Sequence, residues 1–183
     1  MDIEPKHDNL ILKADPVLTL ELLHPRHAEE LFSMIDTHRS FLNEWLSFIP
    51  RMQRIENTIQ FIAGSMERNR AGMEYAFMLR RNEQAIGRIG IYKIDAQHRN
   101  GEIGYWLIPE AQGNGAMNLA LKKLIEFCFE TLDLHRLEIR CAEENVRSAR
   151  VAERSGFQYE GLLRDAEYLH DRFVTLKVYS LLK

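Results

Sequence analysis

Glu102-Ile-Gly-Tyr-Trp-Leu-Ile-Pro-Glu-Ala-Gln112-Gly113-Asn114-Gly115-Ala116-Met117 is the stretch on which the architecture turns. Its first half has the character of a strand, Pro109 stops it, and two glycines lead into a helical pattern. A strand that feeds a glycine-bearing turn and then a helix leaves backbone N–H groups pointing outward at the helix start. The helix dipole favours negative charge there. A side chain at the glycines would block close approach by phosphate oxygens. Taken alone, these residues fit both a phosphate-binding turn and an ordinary strand-to-helix turn that uses glycine. They do not fit a P-loop, because no Gly-Lys-Ser/Thr follows. The dinucleotide fingerprint fits badly. Asn118 stands where its third glycine belongs, Asp133 precedes the next strand, and Glu143 lies beyond it.

Upstream, Val17 to Leu23 reads as a first strand, and Pro25 opens a helix with Ala28, Leu31, Phe32 and Ile35 on one face. Phe41, Trp45, Phe48 and Ile49 continue that helical spacing up to Pro50, and a further helix spans Glu56 to Arg70. The period then changes to that of strands at Tyr75 to Leu79, Ala85 to Ile94 and Glu102 to Ile108. A helix follows from Gly115 to Leu132, with Met117, Leu121, Leu124, Cys128 and Leu132 along one stripe. Leu134 to Cys141 is a strand and Asn145 to Ser155 a short helix, which Gly156 ends with Phe157 as its apolar contact. Two last strands, Gln158 to Tyr168 and Phe173 to Leu182, turn around His170-Asp171-Arg172. Hairpins combined with one strand–helix–strand crossover predict an α/β (α+β) fold, a mixed, mostly antiparallel sheet flanked by helices. No linker divides the 183 residues, so a single domain over 1–183 is expected.

Composition narrows the function. Hydrophobic residues make up 45% and charged residues 28%, a globular balance. The 24 basic and 27 acidic side chains leave a net charge of −3, poor footing for direct nucleic-acid binding, which rests on Lys and Arg neutralising phosphates. No apolar run reaches the length of about 20 residues that spans a bilayer, so no membrane association is expected. Met1 to Asn9 is acidic and broken by Pro5, unlike a secretory leader. Cys128 and Cys141 lack paired-motif spacing, which points to a reduced, cytoplasmic setting. The histidines do not cluster at ligand spacing. His24 and His27 straddle Pro25 at a helix start, where capping is expected rather than metal binding, and no metal is assigned.

Three linked motifs carry a resemblance. Gln112-Gly-Asn-Gly115-Ala resembles the pyrophosphate-binding loop of the GNAT N-acetyltransferases, with its pattern Gln/Arg-x-x-Gly-x-Gly/Ala. The preceding Glu-Ile-Gly-Tyr-Trp-Leu (102–107) is similar to the RimJ/RimL branch, the ribosomal-protein N-terminal acetyltransferases. Asn145-Val-Arg-Ser148 with its closing Gly156-Phe157 resembles that branch's next helix, and the element order matches over nearly the whole chain. Met117 occupies the pattern's final Gly/Ala slot, and Thr175 stands where many relatives carry an aspartate.

The resemblance implies acetyl-coenzyme A as co-substrate. Its pantetheine arm would pair with the backbones of Trp106, Leu107 and Ile108. Its pyrophosphate would sit on N–H groups from Gln112 and Gly113 through Asn114, Gly115 and Ala116 to Met117. Glu102 is the implied base, direct or through water, for the attacking amine; a solvated acid at a strand start is its other reading. Ser148 is implied as hydrogen-bond or proton donor to the departing sulfur, and Asn145 as a contact to pantetheine; both also suit a helix start. Leu107 N–H would hold the oxyanion, and Cys141 would lie near the coenzyme sulfur. The implied acceptor is a protein N-terminus or a small amine; Phe41, Trp45 and Phe48 fit a groove lining, and equally the packing that three aromatics on one helix usually serve. A coenzyme A-binding module without activity and a dinucleotide-dependent oxidoreductase stay open as alternatives, as does a homodimer.

Overall fold

The computed structural model describes residues 9–183, so the leader-like test applied to Met1 to Asn9 falls almost wholly outside the described residues. Eight strands form one sheet in the order β1-β2-β3-β4-β5-β6-β8-β7. They are β1 (Ile11–Lys13), β2 (Leu18–Leu22), β3 (Tyr75–Arg81), β4 (Gln84–Asp95), β5 (Asn100–Leu107), β6 (Arg136–Ala142), β7 (Gln158–Leu169) and β8 (Arg172–Leu182). Every neighbouring pair is antiparallel except β5 with β6, which run parallel. The one parallel pair is joined by a crossover helix, as a parallel connection requires. That helix is α4 (Ala116–Glu126), which widens into a π turn at Phe127–Thr131. Its stripe of Met117, Leu121, Leu124 and Cys128 is buried against the sheet as the 3.6-residue period predicts.

Two large cores lie on opposite faces of the sheet, and a small third cluster of Leu169, Val174 and Leu176 sits in the last hairpin. On one, α4 and α5 (Val146–Arg154) bury Ile103, Leu107, Leu137, Ile139 and Cys141. On the other, α1 (Ala28–Thr37) and α3 (Ile55–Arg70) cover Ala76 and Met78, with Trp106 and Tyr92 packed at the margin. Strand alternation produces this division, since successive side chains point to opposite faces. Gly156 ends α5 with its N–H on the Glu153 carbonyl at 3.1 Å. Phe157 N–H reaches Ala152 at 3.1 Å, and its ring is buried. His24 and His27 cap the start of the insert. Arg26 N–H donates to His24 Nδ1 at 3.3 Å, and His24 N–H to His27 Nδ1 at 3.2 Å.

Two expectations are corrected. The helix read through Phe41 to Ile49 is only α2 (Arg39–Asn43), after which the chain turns and forms a 3-10 turn at Ile49–Arg51 that contains Pro50. Phe41, Leu46 and Phe48 still pack onto the α1–α3 core, so apolar spacing was preserved by turns instead of a helix. Strand β1 was not anticipated. It is three residues long, too short for alternation to register.

An ion network ties the C-terminal hairpin to the sheet. Arg136 on β6 reaches over β8 to Glu160 on β7 at 2.5 Å, and Ser180 on β8 donates to the same carboxylate at 2.6 Å. These contacts hold the Glu160 carboxyl down to a pKa of about 2, the Arg136 hydrogen bond contributing most. A depressed folded-state pKa means that this stabilisation is complete above about pH 4.5 and is lost as pH falls toward 2. Glu160→Gln should therefore lower the melting temperature at pH 7 and leave a smaller difference from wild type near pH 3. The effect is no more than about 1 kcal/mol for so exposed a pair. Melting curves across that range check it.

Candidate active site

The sheet opens at its centre. β5 and β6 pair from Asn100 with Arg136 to Ile103 with Ile139, and beyond that no pairing joins them. β5 continues along β4 as far as Leu107 opposite Gly87, while β6 continues along β8 to Ala142 opposite Leu176. The two strands thus splay into a cleft held rigid on both sides. Ile108 N–H donates to the Ile86 carbonyl at 2.9 Å, which turns the amide groups of 106 and 108 to β4 and those of Tyr105 and Leu107 into the cleft. Gln112 Nε2 donates to the Leu107 carbonyl at 3.3 Å from that side. Of Trp106, Leu107 and Ile108, only Leu107 therefore offers its backbone to the cleft.

The turn after β5 opens onto the same cleft. Gly113 and Gly115 both have φ of +80°, a left-handed conformation, and a Cβ built on either meets nothing within 4 Å. The glycines are there for backbone shape, and the space above them is free. Gln112 N–H is taken by Pro109 at 3.1 Å, and Ala116 N–H by Asn114 Oδ1 at 3.2 Å. The N–H groups of Gly113, Asn114, Gly115 and Met117 have no acceptor among the described residues. Four donors at the start of α4 are thus left without an acceptor, and the Met117 side chain is buried. Asn118, the residue that broke the dinucleotide pattern, ties α4 to α5 through Val151 at 3.2 Å and Ser155 at 2.9 Å.

The start of α5 forms the opposite wall. Asn145 caps it, its Oδ1 accepting from Ser148 N–H at 3.1 Å. Arg147 reaches across to Gln112 Oε1 at 3.0 Å. Neither α4 nor α5 has an acidic residue in its first turn, whereas α1 has Glu29 and Glu30, and α3 has Glu56. The first turns of both helices therefore carry no carboxylate, while Glu143 and Glu144 stand just before the Asn145 cap and Glu144 pairs with Arg172 at 2.8 Å. Ser148 Oγ lies 3.2 Å from Tyr105 Oη, and Tyr105 donates to the Ser148 carbonyl at 3.0 Å. Burial raises the Cys141 thiol above its ordinary value, and a hydrogen bond from Ser148 partly offsets this.

Glu102 is elsewhere. It pairs with Glu138 one residue before the splay, on the opposite face from Tyr105, Cys141 and Ser148, so Glu102 and Ser148 are not brought together. Its carboxylate meets Lys93 Nζ at 2.9 Å and Arg140 Nε at 3.6 Å. Five residues of extended strand, about 16 Å, separate it from Leu107. Phe41 and Phe48 are core, but Trp45 is half-buried and outside that cluster. Beside it, Ser47 donates to Glu167 Oε1 at 2.8 Å, which joins the helical insert to the last hairpin. Tyr105 and Arg147 stand beside the cleft and were missed by sequence reasoning, as was Glu167, the carboxylate through which the last hairpin meets the insert. Thr175, at the pattern's aspartate position, accepts from Asp165 N–H at 3.4 Å. Among the described residues no group of three or more His, Cys, Asp or Glu is arranged to hold a metal ion.

A splayed parallel pair, an anion-ready loop and a crossover helix make a cleft suited to a ligand with extended amides and a diphosphate. The chain belongs to the GNAT acetyltransferase family, whose domain matches residues 18–158. It is 30% identical over 169 residues to the ribosomal-protein-serine acetyltransferase of Escherichia coli, covering 92% of this chain and 94% of that protein. Among solved structures it is similar to the ribosomal alpha-N-protein acetyltransferase RimL in complex with coenzyme A. That match has a TM-score of 0.92 and 24% identity, covering 94% of this chain and 98% of the other. A microcin self-immunity acetyltransferase, MccE, in complex with acetyl-CoA and AMP, matches with a TM-score of 0.91 and 26% identity over 100% of both chains.

Gly115→Val tests the loop. A left-handed φ costs a side chain about 1–2 kcal/mol, and the open space means that no clash adds to it. The variant should fold with a modestly lower melting temperature and lose the upward shift that acetyl-coenzyme A gives the wild type. A retained shift would remove the loop from ligand binding.

Proposed function

We propose that this acetyltransferase moves the acetyl group of acetyl-coenzyme A to the N-terminal amine of a ribosomal protein, in the cytoplasm, by direct attack within a ternary complex. The observation that carries the reading is the cleft between β5 and β6, with free main-chain donors at Leu107 and at Gly113, Asn114, Gly115 and Met117 along one edge. An extended pantetheine arm suits the open strand edge, and a diphosphate suits the helix start. The acceptor rests on the Escherichia coli relative, which is named for acting on a ribosomal-protein serine and aligns over 92% of this chain.

Within this reading Leu107 N–H holds the developing oxyanion, Asn145 holds pantetheine, and Ser148 gives a hydrogen bond to the departing sulfur. An ammonium cannot attack, so the acceptor must shed a proton. An α-amine with a pKa of about 7.7–8.0 does so far more readily than a lysine at about 10.4. Glu102 acts as base only through a chain of several waters, because it lies about 16 Å along β5 from an amine beside Leu107. Proximity of amine and thioester supplies about 7–11 kcal/mol, so no acyl-enzyme is needed. The raised Cys141 thiol is a poor nucleophile at neutral pH, which agrees with direct attack. A second reading, acetylation of a small amine, draws on the similarity to the spermidine N(1)-acetyltransferase of Vibrio cholerae, 28% identical over 50% of this chain.

Two measurements test the proposal. Acetyl-coenzyme A, and not NAD, should raise the melting temperature. Thiol release should then be fastest with peptides bearing a free N-terminus; preference for spermidine-like amines would favour the second reading. Glu102→Gln and Glu167→Gln are compared in the same assay. Loss of turnover by about 10²-fold or more with unchanged acetyl-coenzyme A affinity is expected for Glu102→Gln. Loss only in Glu167→Gln would move the base to the carboxylate beside Ser47.

A further inference from the structure

We propose that Tyr105 is a positioning residue for Ser148, switching its single hydrogen bond as the carbon–sulfur bond breaks. This rests on the acetyl-transfer reading above. Tyr105 comes from the free stretch of β5, and its ring lies on the face that carries Cys141 and the start of α5. Its hydroxyl lies within hydrogen-bond distance of two atoms of one residue, the Ser148 carbonyl at 3.0 Å and Ser148 Oγ at 3.2 Å.

A phenol has one proton to give. At rest Tyr105 gives it to the Ser148 carbonyl, and the serine's one hydrogen is engaged by its neighbours, Tyr105 Oη at 3.2 Å and the Cys141 sulfur. For Ser148 to stabilise a leaving thiolate, its O–H must turn away from these partners. Tyr105 can then turn its own O–H onto Ser148 Oγ, because both acceptors are already in reach and no heavy atom need move. The serine becomes a stronger donor by accepting a bond while it gives one, as linked hydrogen bonds polarise one another.

The balance closes without a proton leaving the tyrosine. The amine nitrogen bonds to the acyl carbon and its proton passes to base or water. The carbon–sulfur bond breaks with its electron pair on sulfur, and the thiolate is held by Ser148 O–H until solvent protonates it. Burial raises the Tyr105 pKa, which keeps the phenol neutral throughout.

The experiment is a double-mutant cycle with Tyr105→Phe and Ser148→Ala, read as kcat and KM for acetyl-coenzyme A. Tyr105→Phe should lower kcat roughly three- to tenfold, the worth of one neutral hydrogen bond, with KM unchanged within about twofold. The double variant should be no slower than Ser148→Ala, since Tyr105 acts only through Ser148. Full kcat in Tyr105→Phe, or losses that multiply in the double variant, would overturn the inference, as would full activity in Ser148→Ala. Site-specific 3-fluorotyrosine at position 105 keeps the shape and strengthens the donor. Turnover at or above wild type is expected, and a fall would count against the switch. Wild type that releases no thiol with any amine would end the acetyl-transfer reading itself, a result distinct from an active wild type with an indifferent Tyr105.

Discussion

Everything at the centre of this protein follows from two strands that pair for four residues and then part. A sheet edge inside a folded domain is normally covered or paired, because exposed N–H and C=O groups are a liability. Here the edge is kept open by what holds the strands on their outer sides. β4 fixes β5 as far as Leu107, and β8 fixes β6 as far as Ala142. Each strand keeps its outer ladder past the point where the inner pairing ends. The cleft is thus a consequence of topology, and the ligand that suits it is one that brings its own extended amides.

The parity of β5 then sorts the chemistry. Even-numbered residues from Glu102 to Trp106 face the helical insert, and odd-numbered residues from Ile103 to Leu107 face α4 and α5. The insert side collects charge at Glu102, Lys93, Glu138 and Arg140. The other side collects hydroxyls and a thiol at Tyr105, Ser148 and Cys141. A ligand threaded through the cleft is exposed to both environments, a polar one suited to receiving an amine and a drier one suited to holding sulfur.

Much of this was legible in the chain. The strand–turn–helix unit, the burial stripe of α4, and the Gly156 cap each carry a local rule, and local rules survive folding. The stretch from Phe41 to Ile49 misled because aromatic spacing can be satisfied by consecutive turns against a core as well as by a helix. Glu102 and Ser148 could not be separated by sequence, since their relation depends on where β5 and β6 stop pairing, a long-range property. Tyr105 sits between Ile103 and Leu107 and reads as ordinary core by alternation. Only the position of Ser148, brought in by α5, gives its hydroxyl two partners.

The electrostatics explain how a chain with net charge −3 can favour an anionic ligand. Net charge acts over distances comparable to the Debye length, about 8–10 Å in ordinary salt, whereas a diphosphate at the α4 start senses groups within hydrogen-bond reach. There the chain offers four free N–H donors and no first-turn carboxylate on either flanking helix. Arg147 adds a guanidinium beside Gln112. Acid placed in the first turns of α1 and α3 strengthens those helices, and withholding it from α4 and α5 forgoes that stabilisation. At the α4 start, where the free N–H groups lie, no first-turn carboxylate offsets the positive end of the dipole.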